Sequence, residues 1–168
     1  MEIERKFIPK SLPENLSSFE HHTLVQGYLN RHPVLRVRKE DDTYYITYKG
    51  SGLLAREEYN LPLNQEGFEH LLPKADGNII SKTRYFIPLE NPVYLPANEG
   101  QFPDKLLIEL DIFDAPLAPL VMAEVEFPDE ASAHAFQMPD WFEKEVTNDP
   151  RYHNSNMSDP AFIKANPF

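Results

Sequence analysis

Charged and apolar positions alternate with period two through much of this chain. Glu2, Glu4 and Lys6 alternate with Ile3, Arg5 and Phe7. In a strand, successive side chains point to opposite faces, so these two carboxylates and the amine share one face. The spacing returns in Arg36 and Arg38 around Val37, Thr47 and Lys49 around Tyr48, and Arg56 and Glu58 around Glu57. It returns again in Lys82 and Arg84 around Thr83, Glu109 and Asp111 around Leu110, and Glu124 and Glu126 around Val125. A sheet with one solvated face also alternates. Such a face carries mixed polar residues, however, not pairs of one sign that are basic on some strands and acidic on others.

The pattern predicts strands near residues 2–8, 23–30, 34–40, 43–49, 53–61, 79–87, 106–113 and 121–127. Asn30-Arg31-His32-Pro33, Glu40-Asp41-Asp42 and Gly50-Ser51-Gly52 are short connections of the kind that join antiparallel hairpins. Eight strands with a charged inner face and an apolar outer face predict an α+β, mainly β fold: an eight-stranded antiparallel closed barrel with a few peripheral helices. Closure also removes exposed sheet edges. Helices are expected at Asn64–Leu72, ended by Pro73, at Asp129–Gln137 with Asp129 as N-cap, and in short form at Trp141–Val146 and Asp159–Ala165. The proline-rich stretch from Pro88 to Lys105 reads as an irregular excursion between two strands.

The 168 residues then form a single domain, residues 1–168, large enough for a real core. A net charge of −11 argues against a nucleic-acid surface, so clustered Arg and Lys point to a local anion. The absence of cysteine excludes disulfides and thiolate-bound zinc. No apolar run reaches membrane-spanning length, and charge from residue 2 onward is unlike a signal peptide. A cytoplasmic protein, monomeric or homodimeric, is expected, with neither nucleic acid nor membrane as partner.

The predicted inner face gathers Glu2, Glu4, Glu58, Glu109, Asp111, Glu124 and Glu126 with Lys6, Arg36, Arg38, Lys49, Arg56, Lys82 and Arg84. Burying so many charges requires pairing or bound ions. Double carboxylates on the first and last strands, Glu2/Glu4 and Glu124/Glu126, call for a divalent cation, and all-oxygen ligands suit Mg²⁺ or Mn²⁺. The basic set suits a polyanion with several phosphates. A metal-bridged triphosphate, inorganic or organic, fits both. No Gly-rich phosphate loop is present. Tyr28 falls on the same face, where it contacts substrate or serves the wall with its hydroxyl. Trp141 reads as core packing.

Glu2-Ile3-Glu4-Arg5-Lys6 resembles the ExExK pattern of the CYTH superfamily, the triphosphate tunnel metalloenzymes. Gln26-Gly27-Tyr28-Leu29, Leu35-Arg36-Val37-Arg38, Lys82-Thr83-Arg84-Tyr85, Glu109-Leu110-Asp111 and Glu124-Val125-Glu126-Phe127 resemble it in the same order, as does the tail Glu145 to Asn154. The resemblance implies an eight-stranded tunnel that binds triphosphates with Mg²⁺ or Mn²⁺. It implies Glu2, Glu4, Glu124 and Glu126 as metal ligands, with Asp111 as a further one. Lys6, Arg36, Arg38, Lys49, Arg56, Lys82 and Arg84 would hold phosphates, with Tyr28 beside them. Glu4, Lys6, Glu58 and Glu126 are the candidate catalytic residues, Glu58 or Glu126 positioning water. Asn60 departs from the family, many of whose members place an acid there. The implied activity is hydrolysis of inorganic triphosphate to pyrophosphate and phosphate. A class IV-type adenylyl cyclase, a nucleoside or thiamine triphosphatase, and a non-catalytic polyphosphate-binding module are the alternatives on the same fold.

Overall fold

The structure is a computed structural model that describes residues 2–51, 54–95 and 102–168. Its strands are β1 (Glu2–Pro9), β2 (His21–Arg31), β3 (Val34–Glu40), β4 (Thr43–Lys49), β5 (Ala55–Arg56), β6 (Glu58–Leu63), β7 (Asp76–Glu90), β8 (Val93–Tyr94), β9 (Lys105–Phe113), β10 (Val121–Glu126), β11 (Phe136–Gln137) and β12 (Phe142–Glu145). The helices are α1 (Gln65–Leu71), α2 (Glu130–Ala135), α3 (Asn154–Met157) and α4 (Pro160–Ala165). The main sheet runs β12-β1-β10-β9-β7-β2-β3-β4-β6, with every pairing antiparallel. Short β5 pairs with β1, Glu2 opposite Arg56 and Ile3 opposite Ala55. Because β6 pairs with β4, β5 and β6 act as one bent strand that brings the ends of the sheet together into a nearly closed barrel.

The predicted strand at 53–61 is therefore two pieces about a break at Glu57; its first residue, and Gly52 of the predicted turn before it, lie outside the described residues. The predicted helix at Trp141–Val146 is instead strand β12. It pairs with the edge of β1 left free beyond β5, Phe7 opposite Glu145 and Ile8 opposite Lys144. Satisfying that edge outweighs the local helical preference of Phe-Glu-Lys-Glu. The excursion after Pro88 begins later than expected, since β7 continues to Glu90. Pro88 is tolerated because β2 pairs with β7 only as far as Tyr85, leaving no partner for an amide on that side. Residues 96–101 of the excursion lie outside the described residues.

Caps follow the sequence: Asn64 Oδ1 accepts from Gly67 N at 2.7 Å, Asp129 Oδ1 from Ser132 N at 2.7 Å, and Asp159 Oδ1 from Ala161 N at 3.0 Å. Helix α2 ends at Ala135, two residues before the predicted Gln137, because Phe136 and Gln137 pair with β8. It covers the outer faces of β1, β9 and β10, where Ile3, Phe7, Ile108, Leu110, Val125, Phe136 and Phe142 form the larger core. Trp141 packs against this core, its ring 4.5 Å from that of Phe142.

The barrel interior is not charged along its whole length. Tyr28, Val34, Ile80, Phe113 and Met122 continue the inward-facing positions of β2, β3, β7, β9 and β10, and they pack with Val146, Tyr152 and Met157 into an apolar floor. The C-terminal segment is pinned there by Gly77 and Asn78. Gly77 has φ +71°, and a Cβ on it would lie 2.1 Å from the Ser158 carbonyl oxygen; Asn78 N donates to that same oxygen at 2.6 Å.

Candidate active site

Above the apolar floor the barrel encloses a cavity of about 220 Å³. It is lined by Glu2, Glu4, Lys6, Tyr28, Arg36, Arg38, Lys49, Arg56, Glu58, Arg84, Glu124 and Glu126. Lys82 and Asp111 lie in the wall beneath, fully buried. The alternation thus turns every residue expected at the site toward one tunnel, because period-two positions on a closed sheet all face its axis.

One wall is internally paired. Lys6 Nζ lies 2.8 Å from Glu4 Oε1 and donates to Glu124. Arg84 donates to Asp111 Oδ1 at 2.7 Å and Oδ2 at 2.8 Å, to Glu124 Oε2 at 2.6 Å, and to Glu109. Lys82 donates to Asp111. Burial opposes charge on all of these groups, and the partners decide the outcome. Burial pulls the Lys6 ammonium down, but Glu124 and Glu4 hold it above its usual range. Burial likewise works against the Glu124 carboxylate, yet Lys6 and Arg84 hold it well below the usual range. At Lys82 burial prevails over Asp111 and brings the ammonium down to about 8.

The opposite wall is cationic, and the acid at its rim, Glu40, pairs with Tyr45 and His22 rather than with either arginine. Arg36 and Arg38 are 4% and 8% exposed. Arg36 Nη2 donates to Thr47 Oγ1 at 3.1 Å, while its buried Nε has no partner. Arg38 Nε donates to Gln26 Oε1 at 2.9 Å and Nη1 to the Tyr45 hydroxyl at 3.3 Å. Among the described residues these neutral groups are the only hydrogen-bond partners of the two guanidiniums. Burial and the neighbouring Arg38 charge lower the Arg36 pKa, the response of a cation short of counter-charge.

Acids gather at the junction of β1, β5, β6 and β10. Glu2 accepts from Lys49 at 2.7 and 2.8 Å and from Arg56 at 3.2 Å, and Lys49 Nζ lies 2.5 Å from Glu58 Oε2. Burial opposes the Glu58 charge, but Lys49 and hydrogen bonds hold this carboxyl down to about 2. Asn60, the departure from the family pattern, donates to Glu58 Oε1 at 2.8 Å, so it supports that acid from two residues along the same strand. Glu126 stands opposite Glu4 on the neighbouring strand. Burial, then Glu2, Glu4 and Glu58, raise its pKa.

These carboxylates offer a hard cation the oxygen donors it needs, and Glu126, destabilised by three neighbouring acids, is the group a cation would relieve most. Apart from Glu126 the acids are nonetheless tied to lysine and arginine, and among the described residues no three are gathered as a ready-made ligand set. Asp111 gives both oxygens to Lys82 and Arg84.

Tyr28 is buried in the floor, and Gln26 Nε2 lies 3.4 Å from its hydroxyl. Helix α3 reaches the cavity: Asn154 and Ser155 line it, and Asn154 Nδ2 lies 3.5 Å from Glu124 Oε1. Glu40 and Tyr45, also lining, were not singled out from the sequence, although they continue the inward spacing of Arg38 and Thr47. Nothing in the pattern marks Asn154 and Ser155, which arrive on a turn.

The CYTH domain matches residues 1–145. The chain belongs to the CYTH family. An inorganic triphosphatase of Nitrosomonas europaea is 39% identical over 163 residues, covering 94% of this chain and 96% of that protein. An inorganic triphosphatase of Acetivibrio thermocellus is 34% identical over 169 residues, covering 93% and 92%. The crystal structure of an inorganic triphosphatase superposes with TM-score 0.64 at 36% identity over 94% of each chain. A conserved hypothetical protein of Pyrococcus furiosus shares the fold at TM-score 0.51 and 16% identity, over 80% of this chain and 83% of that one. No helix among the described residues is long and apolar enough to cross a membrane.

Proposed function

We propose that this CYTH protein is a divalent-cation-dependent hydrolase of inorganic triphosphate. The observation that carries this reading is the pair Arg36 and Arg38, buried in the tunnel with no acid partner, facing a cluster of carboxylates across the cavity. Its relatives named inorganic triphosphatase support it. A phosphate chain would supply the missing negative charge on the arginine wall. Lys6, Lys49, Arg56 and Arg84 line the same cavity and are placed to exchange a carboxylate for a phosphate oxygen. Lys82, locked under Asp111, would act from beneath by adding positive charge.

Glu2, Glu4, Glu124 and Glu126 would hold Mg²⁺ or Mn²⁺, and Asp111 is better read as the acid that fixes Lys82 and Arg84. When bound, the cation would neutralise charge on the phosphates and polarise the bond that breaks. Water attacks one phosphorus, the anhydride P–O bond breaks, and phosphate and pyrophosphate form. Glu58, ionised and aimed into the cavity, is placed to orient the water, and Glu126, with its raised pKa, to take its proton. We read the protein as cytoplasmic, a monomer or homodimer, with triphosphate rather than nucleic acid or membrane as its partner.

Phosphate release with Mg²⁺ and with Mn²⁺, from inorganic triphosphate, ATP and thiamine triphosphate, tests the reading. Inorganic triphosphate is expected to be preferred, and Glu4→Gln to lose activity about 100-fold or more. Equal turnover by Glu4→Gln, or preference for an organic triphosphate, would sink it.

A further inference from the structure

A continuous chain of side chains leads from the rim of the barrel to Arg38. His22 Nδ1 lies 2.8 Å from Glu40 Oε1. The Tyr45 hydroxyl donates to Glu40 Oε2 at 2.7 Å and accepts from Arg38 Nη1 at 3.3 Å. Arg38 also lies 5.8 Å above the Tyr45 ring. On its other side Gln26 accepts from Arg38 Nε at 2.9 Å. Two of the other three cavity arginines among the described residues are aimed by carboxylates, Arg56 by Glu2 and Glu4 and Arg84 by Asp111, Glu109 and Glu124, while Arg36 is held by Thr47 alone. Arg38 is aimed through a neutral phenol, with the carboxylate one bond further away. This arrangement fixes the guanidinium without neutralising it.

We propose that Tyr45 and Glu40 are positioning residues that hold Arg38 toward the anion, and that His22 anchors Glu40 from the rim of the barrel. The proposal deepens the triphosphatase reading and rests on it for the identity of the anion. A phenol hydroxyl that gives its proton to Glu40 must present a lone pair to Arg38, so the donor order runs one way from the guanidinium to the carboxylate. The groups around His22 are Glu40 across β3, Glu20 on its own chain at 3.3 Å, Asp41 of the β3–β4 turn at 3.9 Å, and on β7 Arg84, opposite it in register, and Phe86, against whose ring it packs edge-on. The hydrogen bond to Glu40, opposed by burial and helped by Asp41 and Glu20, raises the His22 pKa. Protonated His22 then tightens the anchor, and its loss of a proton on the alkaline side relaxes it.

The test is calorimetric titration of inorganic triphosphate into metal-free protein, alongside KM and kcat with Mg²⁺ across the neutral pH range. Tyr45→Phe keeps the ring and removes the relay. It is expected to weaken binding and raise KM about threefold to tenfold, with kcat within about twofold. Glu40→Gln, which keeps an acceptor, should fall between wild type and Glu40→Ala. In His22→Asn the alkaline rise in KM should vanish while binding at the alkaline end matches wild type. Unchanged affinity in Tyr45→Phe overturns the proposal. Should that variant not fold, unchanged affinity in Glu40→Ala, whose side chain sits half-buried at the rim, overturns it equally. Wild-type protein that binds triphosphate without hydrolysing it would end the triphosphatase reading and leave the relay to be judged by the binding data.

Discussion

The two walls of the tunnel carry similar numbers of bases and treat them in opposite ways. On β1, β7, β9 and β10, Lys6, Lys82 and Arg84 are each tied to one or more carboxylates. On β3, Arg36 and Arg38 are tied only to Thr47, Gln26 and Tyr45. The first wall is a closed network whose charges stabilise one another. The second holds cations in a desolvated place with their attraction unspent. Burial of an unpaired charge is expensive, so the fold tolerates it where a ligand supplies the balance. The contrast separates residues that build the tunnel from residues that wait for the anion.

Breaking the closed network should have the largest effect. Asp111 is the common partner of Lys82 and Arg84, so Asp111→Asn leaves buried Lys82 without an acid partner and Arg84 with only Glu109 and Glu124. A loss of about 3–5 kcal/mol in unfolding free energy is expected from denaturant titration. A loss below about 1 kcal/mol would mean that the network is not closed.

The arginine wall should respond in the opposite sense. Arg36→Met removes a buried cation that Arg38 already disfavours, and Thr47 keeps Asn60 as a partner at 2.7 Å. Stability without ligand should stay level or rise by about 0.5–1 kcal/mol, read from the same denaturant curve. A marked loss of stability would place Arg36 with the structural wall.

Glu126 gives the smallest and most diagnostic effect. Its raised pKa means that the folded chain holds a proton there more tightly than the unfolded chain does. The penalty is absent below the ordinary carboxylate range and complete once pH has climbed through the raised value. Because Glu126 sits at the exposed rim, solvent screening limits the gain from Glu126→Gln to about 0.5 kcal/mol at neutral pH. That gain should fade in acid. Mg²⁺ should raise the melting temperature of wild type and raise that of Glu126→Gln much less. Equal responses to Mg²⁺ would remove Glu126 from the cation site.

The residues of both walls are legible in the sequence because a strand carries a strict two-residue period. Once Glu4, Arg36 and Lys82 are assigned to one face, closure of the sheet brings them together. Their pairing is not legible. Whether Arg84 meets Asp111 or Arg38 meets Tyr45 depends on register and stagger between distant strands, which no local pattern encodes. Asp111 illustrates the cost: its spacing matches that of the other acids, yet its depth commits it to Lys82 and Arg84. The strand at Phe142–Glu145 was hidden for the same reason, since its helical composition yields to a free edge on β1 more than 130 residues away in sequence. Asn154 and Ser155 reach the cavity through the Gly77–Ser158 contact, another long-range link with no periodic trace.

The central claim is that the unpartnered arginines are the binding face. Calorimetric titration of inorganic triphosphate into metal-free wild type and Arg36→Met tests it most directly. Saturable binding to wild type, weakened about 30- to 100-fold in a normally folded Arg36→Met protein, is the predicted result. Equal affinity in the two proteins would contradict the account.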